Sequence, residues 1–160
     1  MLAEPKDDGA TCEESATLPL LNLVLIELGR HITRCTLSPE ALETFNEFSS
    51  EVDKNIHQYG LTLEYLVGIL GKTNGKVVRF SAANALLDLG MFFLTEFNEE
   101  MTDLFNSCHG QSVTKYCPDG AIEVISKNVQ LMPSSILVVN PDHVKSAIGF
   151  VTVAHSAWLL

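Results

Sequence analysis

The residues that could do chemistry in this sequence do not assemble a recognisable catalytic motif. Gly71-Lys72-Thr73 matches the end of a phosphate-binding loop. That motif also requires a glycine five positions before Gly71, where Leu66 stands, and a preceding β-strand. Residues 61–70 have instead the apolar pattern of a short helix. We therefore interpret residues 71–75 as a turn between helices.

Histidines and cysteines give no metal or nucleophile pattern. The five histidines are scattered, none forms the HExxH zinc motif, and no Gly-x-Ser-x-Gly elbow is present. Cys108-His109 and Cys117 lack the second pair of ligands that a structural zinc site needs. We predict no catalytic residue, no metal and no cofactor, and hence a protein that is not an enzyme.

Composition and charge narrow the class of partner. The chain has 160 residues, 46% of them hydrophobic and 19% charged, which is the composition of one folded domain. Its formal net charge is −10. Because a surface with this negative charge repels phosphate backbones, we do not expect nucleic acid to be a partner.

The two ends of the chain are expected to differ. Residues 1–17 are acidic and polar, which predicts a flexible tail in front of a single domain at residues 18–160. This start is the opposite of a secretory signal, so the cysteines are expected to be reduced in a cytoplasmic protein. The apolar run 146–160 contains His155, and it is shorter than the helix of about 20 residues that is needed to span a bilayer. This favours a terminal helix that is buried in the domain. A membrane anchor beyond Leu160 stays open.

Apolar periodicity predicts an all-α fold of about seven or eight helices. The expected helices cover residues 18–35, 38–59, 61–70, 76–97, 98–108 and 121–131, with a last one from about 143. The β-branched segment 135–140 is interpreted as extended loop or helix edge, because a lone strand would have no partner. Between Ser81 and Thr95 the only charge is Asp88. A helix so apolar is expected to be the buried centre of the domain.

The residues ahead of this apolar helix resemble the first homology motif of the Bcl-2 (B-cell lymphoma-2) family of apoptosis regulators. In that motif an Asn-Trp-Gly-Arg turn caps a central hydrophobic helix, and small residues follow an aromatic one. Here Gly75 and Lys76 take the Gly-Arg positions, and three alanines between positions 82 and 85 supply the small residues. Asn74 stands where the family has tryptophan, and Lys76 replaces the arginine.

Further features in the same order strengthen the resemblance. Asn46-Glu47-Phe48 is similar to the Asp-Glu-Phe of the family's third motif, BH-3. Phe45 stands where the family keeps a small residue and Asn46 replaces the acid, which argues against a pro-death role for this segment. Residues 116–122 echo the second motif, and Trp158 resembles the tryptophan of the last soluble helix. Eroded motifs in a compact chain are similar to those of viral members.

The resemblance implies a Bcl-2-like globular bundle that binds helices in a groove. Its partners would be pro-apoptotic BH-3 proteins such as Bim, Bak or Bax, bound to block mitochondrial apoptosis in the cytoplasm or at the mitochondrial outer membrane of a host cell. Lys76 would bind the ligand's aspartate. The expected groove residues are Phe48, Val52, Ile56, Leu66, Val67, Leu70, Asn74, Gly75, Lys76 and Val78. The alternative is a helical adaptor or scaffold domain without a ligand groove, and self-association as a homodimer stays open.

Overall fold

The computed structural model describes residues 17–59, 64–108 and 120–158 of the chain. This part is mostly helical, with seven α-helices and two short β-strands. The elements in chain order are α1 (Thr17–His31), β1 (Arg34–Leu37), α2 (Pro39–Tyr59), α3 (Glu64–Leu70), α4 (Thr73–Thr95), α5 (Glu99–Cys108), α6 (Ala121–Gln130), β2 (Ile136–Val139) and α7 (Pro141–Trp158). The predicted tail lies, apart from Thr17, outside the described residues, as do residues 109–119 with Cys117.

The two strands form a parallel pair in which Arg34 lies opposite Ile136 and Leu37 opposite Val139. The prediction that residues 135–140 form no strand is therefore wrong, as is the extension of the first helix to Cys35. The helical spacing of Leu28 and Ile32 continues through one more turn, because the Ile32 N–H donates to the Leu28 carbonyl at 2.8 Å. The chain then becomes extended and supplies the partner that β2 needs.

Each strand is followed at once by a capped helix. Ser38 after β1 accepts a hydrogen bond at its Oγ from the Ala41 N–H, 3.1 Å away. Asn140 after β2 accepts at its Oδ1 from the His143 N–H, also at 3.1 Å. These caps satisfy backbone donors at the starts of α2 and α7. Parallel strands end at the same edge of a sheet, so both helices begin there and pack against each other.

Helix α4 contacts most of the other elements, including α1, α2, α3, α5, α7 and β2. It begins at Thr73, so the predicted turn over residues 73–75 is in fact its first turn. It is central but not wholly buried, which corrects the expectation of a buried core helix. Its solvent-exposed large apolar side chains are Val78, Phe80, Leu87, Met91 and Phe92.

Two clusters of buried side chains make up the described core. One joins α1 to the second half of α4 and to α5 and α6, and includes Val24, Phe93 and Ile125. The other joins α2, the first half of α4, β2 and α7. Ala41, Val77, Leu137, Val139, Val144 and Ala147 belong to it. The core is therefore divided along the length of α4.

The stretch Val67–Thr95 is long and apolar enough to cross a membrane, with a mean hydropathy of 1.5, and a third of its most apolar window is buried. Core helices of soluble domains share this composition. The last helix, α7, buries Val144, Ala147 and Val151 but exposes Phe150 and Val153. It is thus packed along one face only, which differs from the predicted burial of the whole terminal helix.

A polar network around the buried Asn128 joins α5 to α6. The Asn128 side chain is fully buried and its Nδ2 donates to Glu100 Oε2 at 2.9 Å and to the Val124 carbonyl at 2.9 Å. Asn98 Nδ2 donates to Asn128 Oδ1 at 2.6 Å, and Asn98 Oδ1 accepts from the Met101 N–H. The hydrogen bonds from Asn128 and Lys127 hold the pKa of the Glu100 carboxyl below its usual value.

The crossing of α1 and α4 depends on Gly90. A Cβ at this position would lie 2.8 Å from Leu25 Cδ2 and 3.1 Å from Leu21 Cδ1. We expect Gly90→Ala to give a free energy of unfolding about 1 kcal/mol below that of a Gly→Ala change at an open helical position, because the leucine methyl groups must shift to admit the Cβ and this offsets the gain in helix propensity. The measurement is urea denaturation followed by circular dichroism.

Gly149 of α7 gives the matched control, because a Cβ there would meet nothing within 4 Å. Gly149→Ala should raise the free energy of unfolding by about 0.5–1 kcal/mol through helix propensity alone. Equal effects of the two changes would contradict a close α1–α4 contact at Gly90.

Candidate partner-binding grooves

The groove residues expected on α2 face inward to different degrees. Val52 is 5% exposed, and Phe48 is half-buried against the cluster that contains Val77. Ile56, one turn beyond Val52, is half-buried near the end of the helix. Phe48 and Val52 thus contribute to the core, and Ile56 has more of its surface free.

Helix α3 contacts both α2 and α4. Val67 and Leu70 on it are half-buried, which suits side chains at the margin of a groove. The side chain of Leu66, also expected in the groove, lies outside the described residues. The short helix therefore borders the junction between α2 and the start of α4.

Asn74 joins the first turn of α4 to α2. Its Nδ2 donates to Ser49 Oγ at 2.8 Å, and its Oδ1 is buried without a hydrogen-bond partner in the described structure. The expected extra donor for a ligand is thus engaged within the fold. The unpaired Oδ1 is buried, so neither polar atom of the amide is presented to a ligand in this structure.

Lys76 and Val78 are exposed, but they lie on different sides of α4. Val78 is 42% exposed and follows Asn74 by four residues, so both lie on the side that meets α2. Lys76 follows Asn74 by two residues, about 200° around the helix. It lies near α7, where burial and then the Lys76 charge lower the pKa of His155. Gly75 between them is exposed and has open space around its Cα.

Part of the expected set lies on helices that contact one another, because α2, α3 and α4 meet pairwise. We use the name α2–α4 seam for the junction bounded by Ile56, Val67, Leu70, Asn74 and Val78. Lys76 lies across α4 from Val78. Val52 is buried, and Phe48 packs against the core cluster that contains Val77. The apolar boundary of the seam is suited to bury apolar side chains.

A second, open groove was not predicted. It encloses about 610 Å³ between the second half of α4, the loop 132–134 and β2. Its apolar lining includes Leu89, Phe92, Met132, Ile136 and Val138. We call it the strand-edge groove. It was missed because the prediction contained neither β2 nor an exposed face on α4.

One polar pair stands at the end of the strand-edge groove. His143 Nε2 lies 2.8 Å from Asp88 Oδ2, and its Nδ1 accepts a hydrogen bond from the Asn140 N–H at 3.2 Å. In the neutral ring the proton is therefore on Nε2 and is donated to Asp88. The imidazole is 10% exposed and the Asp88 carboxylate 75% exposed. The sequence signal was Asp88 itself, an isolated charge on an apolar helix.

Nothing in these sites points to catalysis by a metal. Within the described residues, no group of three or more His, Cys, Asp or Glu could hold a metal ion. Cys35 and Cys108 are free thiols, and burial raises the pKa of the Cys35 thiol. A raised pKa lowers the fraction of reactive thiolate.

No protein-family model matches this chain, and no curated protein or solved structure matches it either.

The bond between Asn74 and Ser49 is open to a double-mutant cycle. We expect Asn74→Ala and Ser49→Ala each to lower the free energy of unfolding by about 1 kcal/mol, since each leaves a partly buried group unpaired. The double variant should lose less than the sum of both, with a coupling of about 0.5 kcal/mol or more. Purely additive losses in urea denaturation would contradict a direct bond. Ser50→Ala, at an exposed neighbour on α2, is the control.

Proposed function

We propose that this chain is a divergent Bcl-2-like, non-enzymatic protein that binds amphipathic BH-3 helices of pro-apoptotic proteins. The observation that carries the proposal is the α2–α4 seam, where α2, α3 and the start of α4 contact one another. Val78 on α4 is 42% exposed, and Ile56, Val67 and Leu70 on the other two helices are half-buried. An apolar side chain exposed next to others at a helix junction favours burial against a partner. The mostly helical fold is consistent with this proposal.

The proposed mode of binding is helix in groove. An amphipathic ligand helix presents apolar side chains at i, i+3/i+4 and i+7, and these would bury against the seam. Lys76 is the proposed partner of the ligand's aspartate. Because Lys76 lies across α4 from Val78, the ligand would pass over the first turn of α4 to reach it. A lysine offers a point charge, so this contact would be less directional than that of an arginine.

The cellular consequence follows from sequestration. Capture of BH-3 ligands such as those of Bim, Bak or Bax would prevent permeabilisation of the mitochondrial outer membrane. The protein would act in the cytoplasm or at that membrane in a host cell, as viral members of the family do. Fold class does not fix function, so the proposal rests on the seam and on the motifs.

The second candidate is a helical adaptor without a ligand groove. It is favoured by the exposed apolar residues of α4 and α7, where the rings of Phe80 and Phe150 meet with centroids 4.7 Å apart. The parallel strand pair is also no part of an all-helical bundle. An adaptor would use such a face for a flat contact and would not bind short helical peptides.

Calorimetric titration with BH-3 peptides of Bim, Bak and Bax distinguishes the two functions. We expect a dissociation constant of about 1 μM or lower for at least one peptide. Val78→Asp should weaken binding about tenfold or more, through loss of apolar burial. Leu87→Asp is the matched control, because Leu87 is 44% exposed on the same helix away from the seam. If none of the three peptides binds detectably to protein that is shown to be folded and helical, the result would favour the adaptor function.

Lys76→Glu tests the proposed charge contact in the same titration. We expect loss of measurable binding, because a repulsive pair replaces an attractive one at a partner-protein interface. Arg79→Glu, at an exposed position of α4 one turn further on, controls for the change in net charge. Unchanged affinity of the Lys76 variant would remove that residue from the site, and an equal loss in both variants would indicate a nonspecific charge effect.

A further inference from the structure

The strand-edge groove runs beside an unused backbone edge. In a parallel pair, alternate residues of a strand bond to the partner. Ser135 and Val139 accept at their carbonyls from Thr33 and Ser38, so the groups of Ile136 and Val138 point away from β1. The Ile136 N–H is satisfied by Ser134 Oγ at 3.1 Å. The Val138 N–H and the carbonyls of Ile136 and Val138 form an open edge that can pair with another strand.

The same edge borders an apolar floor. Phe92 is 46% exposed, and Ile136 and Val138 are 44% and 54% exposed. Leu89 and Met132 complete the lining described above. Successive side chains of an added strand point to opposite faces of the sheet. Every second residue of a docked segment would therefore face Leu89 and Phe92 of α4, and the intervening residues would lie alongside the outward-pointing Ile136 and Val138.

Exposed carboxylates at one end of the groove favour a partner with a basic side chain. Asp88 also borders a depression of about 220 Å³, whose other polar lining residues include Asn84, Asp142 and Ser146. The side chains of Asp88 and Asp142 are 75% and 90% exposed. The described residues that line the groove and the depression include no lysine or arginine. A basic side chain would therefore meet two accessible carboxylates, one of them 4.0 Å from Lys145.

We propose that the strand-edge groove docks an extended segment of a partner protein that pairs with the outer edge of β2. The segment carries alternating apolar side chains and a lysine or arginine that reaches Asp88. Main-chain hydrogen bonds supply affinity, and the floor with its terminal carboxylates supplies specificity. The site uses another part of α4 than the α2–α4 seam and does not rest on the proposed function.

Three blocked eight-residue peptides of alternating valine and threonine serve as probes, labelled for fluorescence polarisation. The first contains one arginine, the second has glutamate in its place, and the third is the arginine peptide with alternate backbone nitrogens methylated. The arginine peptide should bind at least about fivefold more tightly than the other two, because each of these loses a hydrogen bond or an ion pair. Amide shifts in NMR spectra should concentrate at residues 88–97 and 134–140.

Val138→Pro tests the strand edge from the protein side. Proline removes the Val138 N–H, which points away from β1, so the β1–β2 ladder is retained. Peptide affinity should fall about fivefold or more, whereas Val138→Thr, which keeps the N–H, should stay within about twofold. Circular dichroism and thermal melting report whether each variant folds. The methylated peptide on unchanged protein tests the same edge if the proline variant unfolds.

Asp88→Asn tests the charge, because asparagine can still accept from His143 Nε2. The preference for the arginine peptide over the glutamate peptide should shrink about threefold or more, while Asp53→Asn on α2 should preserve it. The proposal would be overturned if the methylated and unmethylated arginine peptides bound with equal affinity, or if no peptide bound at concentrations up to about 1 mM. The proposal would also be overturned if no peptide bound and the protein self-associated in a way that Val138→Pro abolished. That result would assign the edge to a second copy of the chain.

Discussion

The parallel pairing of β1 with β2 is the contact on which the arrangement of the other elements depends. It joins residues 102 positions apart, as in the hydrogen bond between the Thr33 and Ser135 hydroxyls. Because both strands end at the same edge, the caps Ser38 and Asn140 start α2 and α7 side by side. Leu137 and Val139 then cover the first half of α4. Closing so long a loop costs conformational entropy, which these buried contacts must offset.

Much of the helical content could be predicted from local signals. Ser38, Pro39 and Glu40 predicted the start of α2, and the structure confirms it at Pro39. The strand pair could not be predicted in this way, because residues 34–37 have no strong strand pattern and their pairing with the β-branched residues 136–139 is not local. Because the first predicted helix ran to Cys35, residues 135–140 had no strand partner and were interpreted as extended loop or helix edge. Non-local pairing is the information that periodicity lacks.

The candidate sites could be predicted only in part, for a geometric reason. Asn74, Gly75, Lys76 and Val78 were grouped by adjacency in a motif, but adjacent helical residues diverge by about 100°. Lys76 and Val78 were both expected on the helix, two positions apart, and two helical positions diverge by about 200°. Because the helix begins at Thr73, Asn74 and Lys76 are separated in the same way. The pair of His143 with Asp88 could not be predicted either, because the two residues are 55 positions apart and meet through the contact between α4 and α7.

One face of α4 connects both grooves. Val78, Ala85 and Phe92 are spaced by seven residues, so they lie within about 40° of one another around the helix. Ala85 in the middle is 2% exposed and packs against the cluster that contains Leu137 and Val139. Val78 and Phe92 at the two ends remain 42% and 46% exposed. The sheet therefore covers the centre of a single apolar face and leaves two separated ends. The proposed helix-binding seam and the proposed strand-docking groove therefore each use one of the two ends of this face that the sheet leaves uncovered.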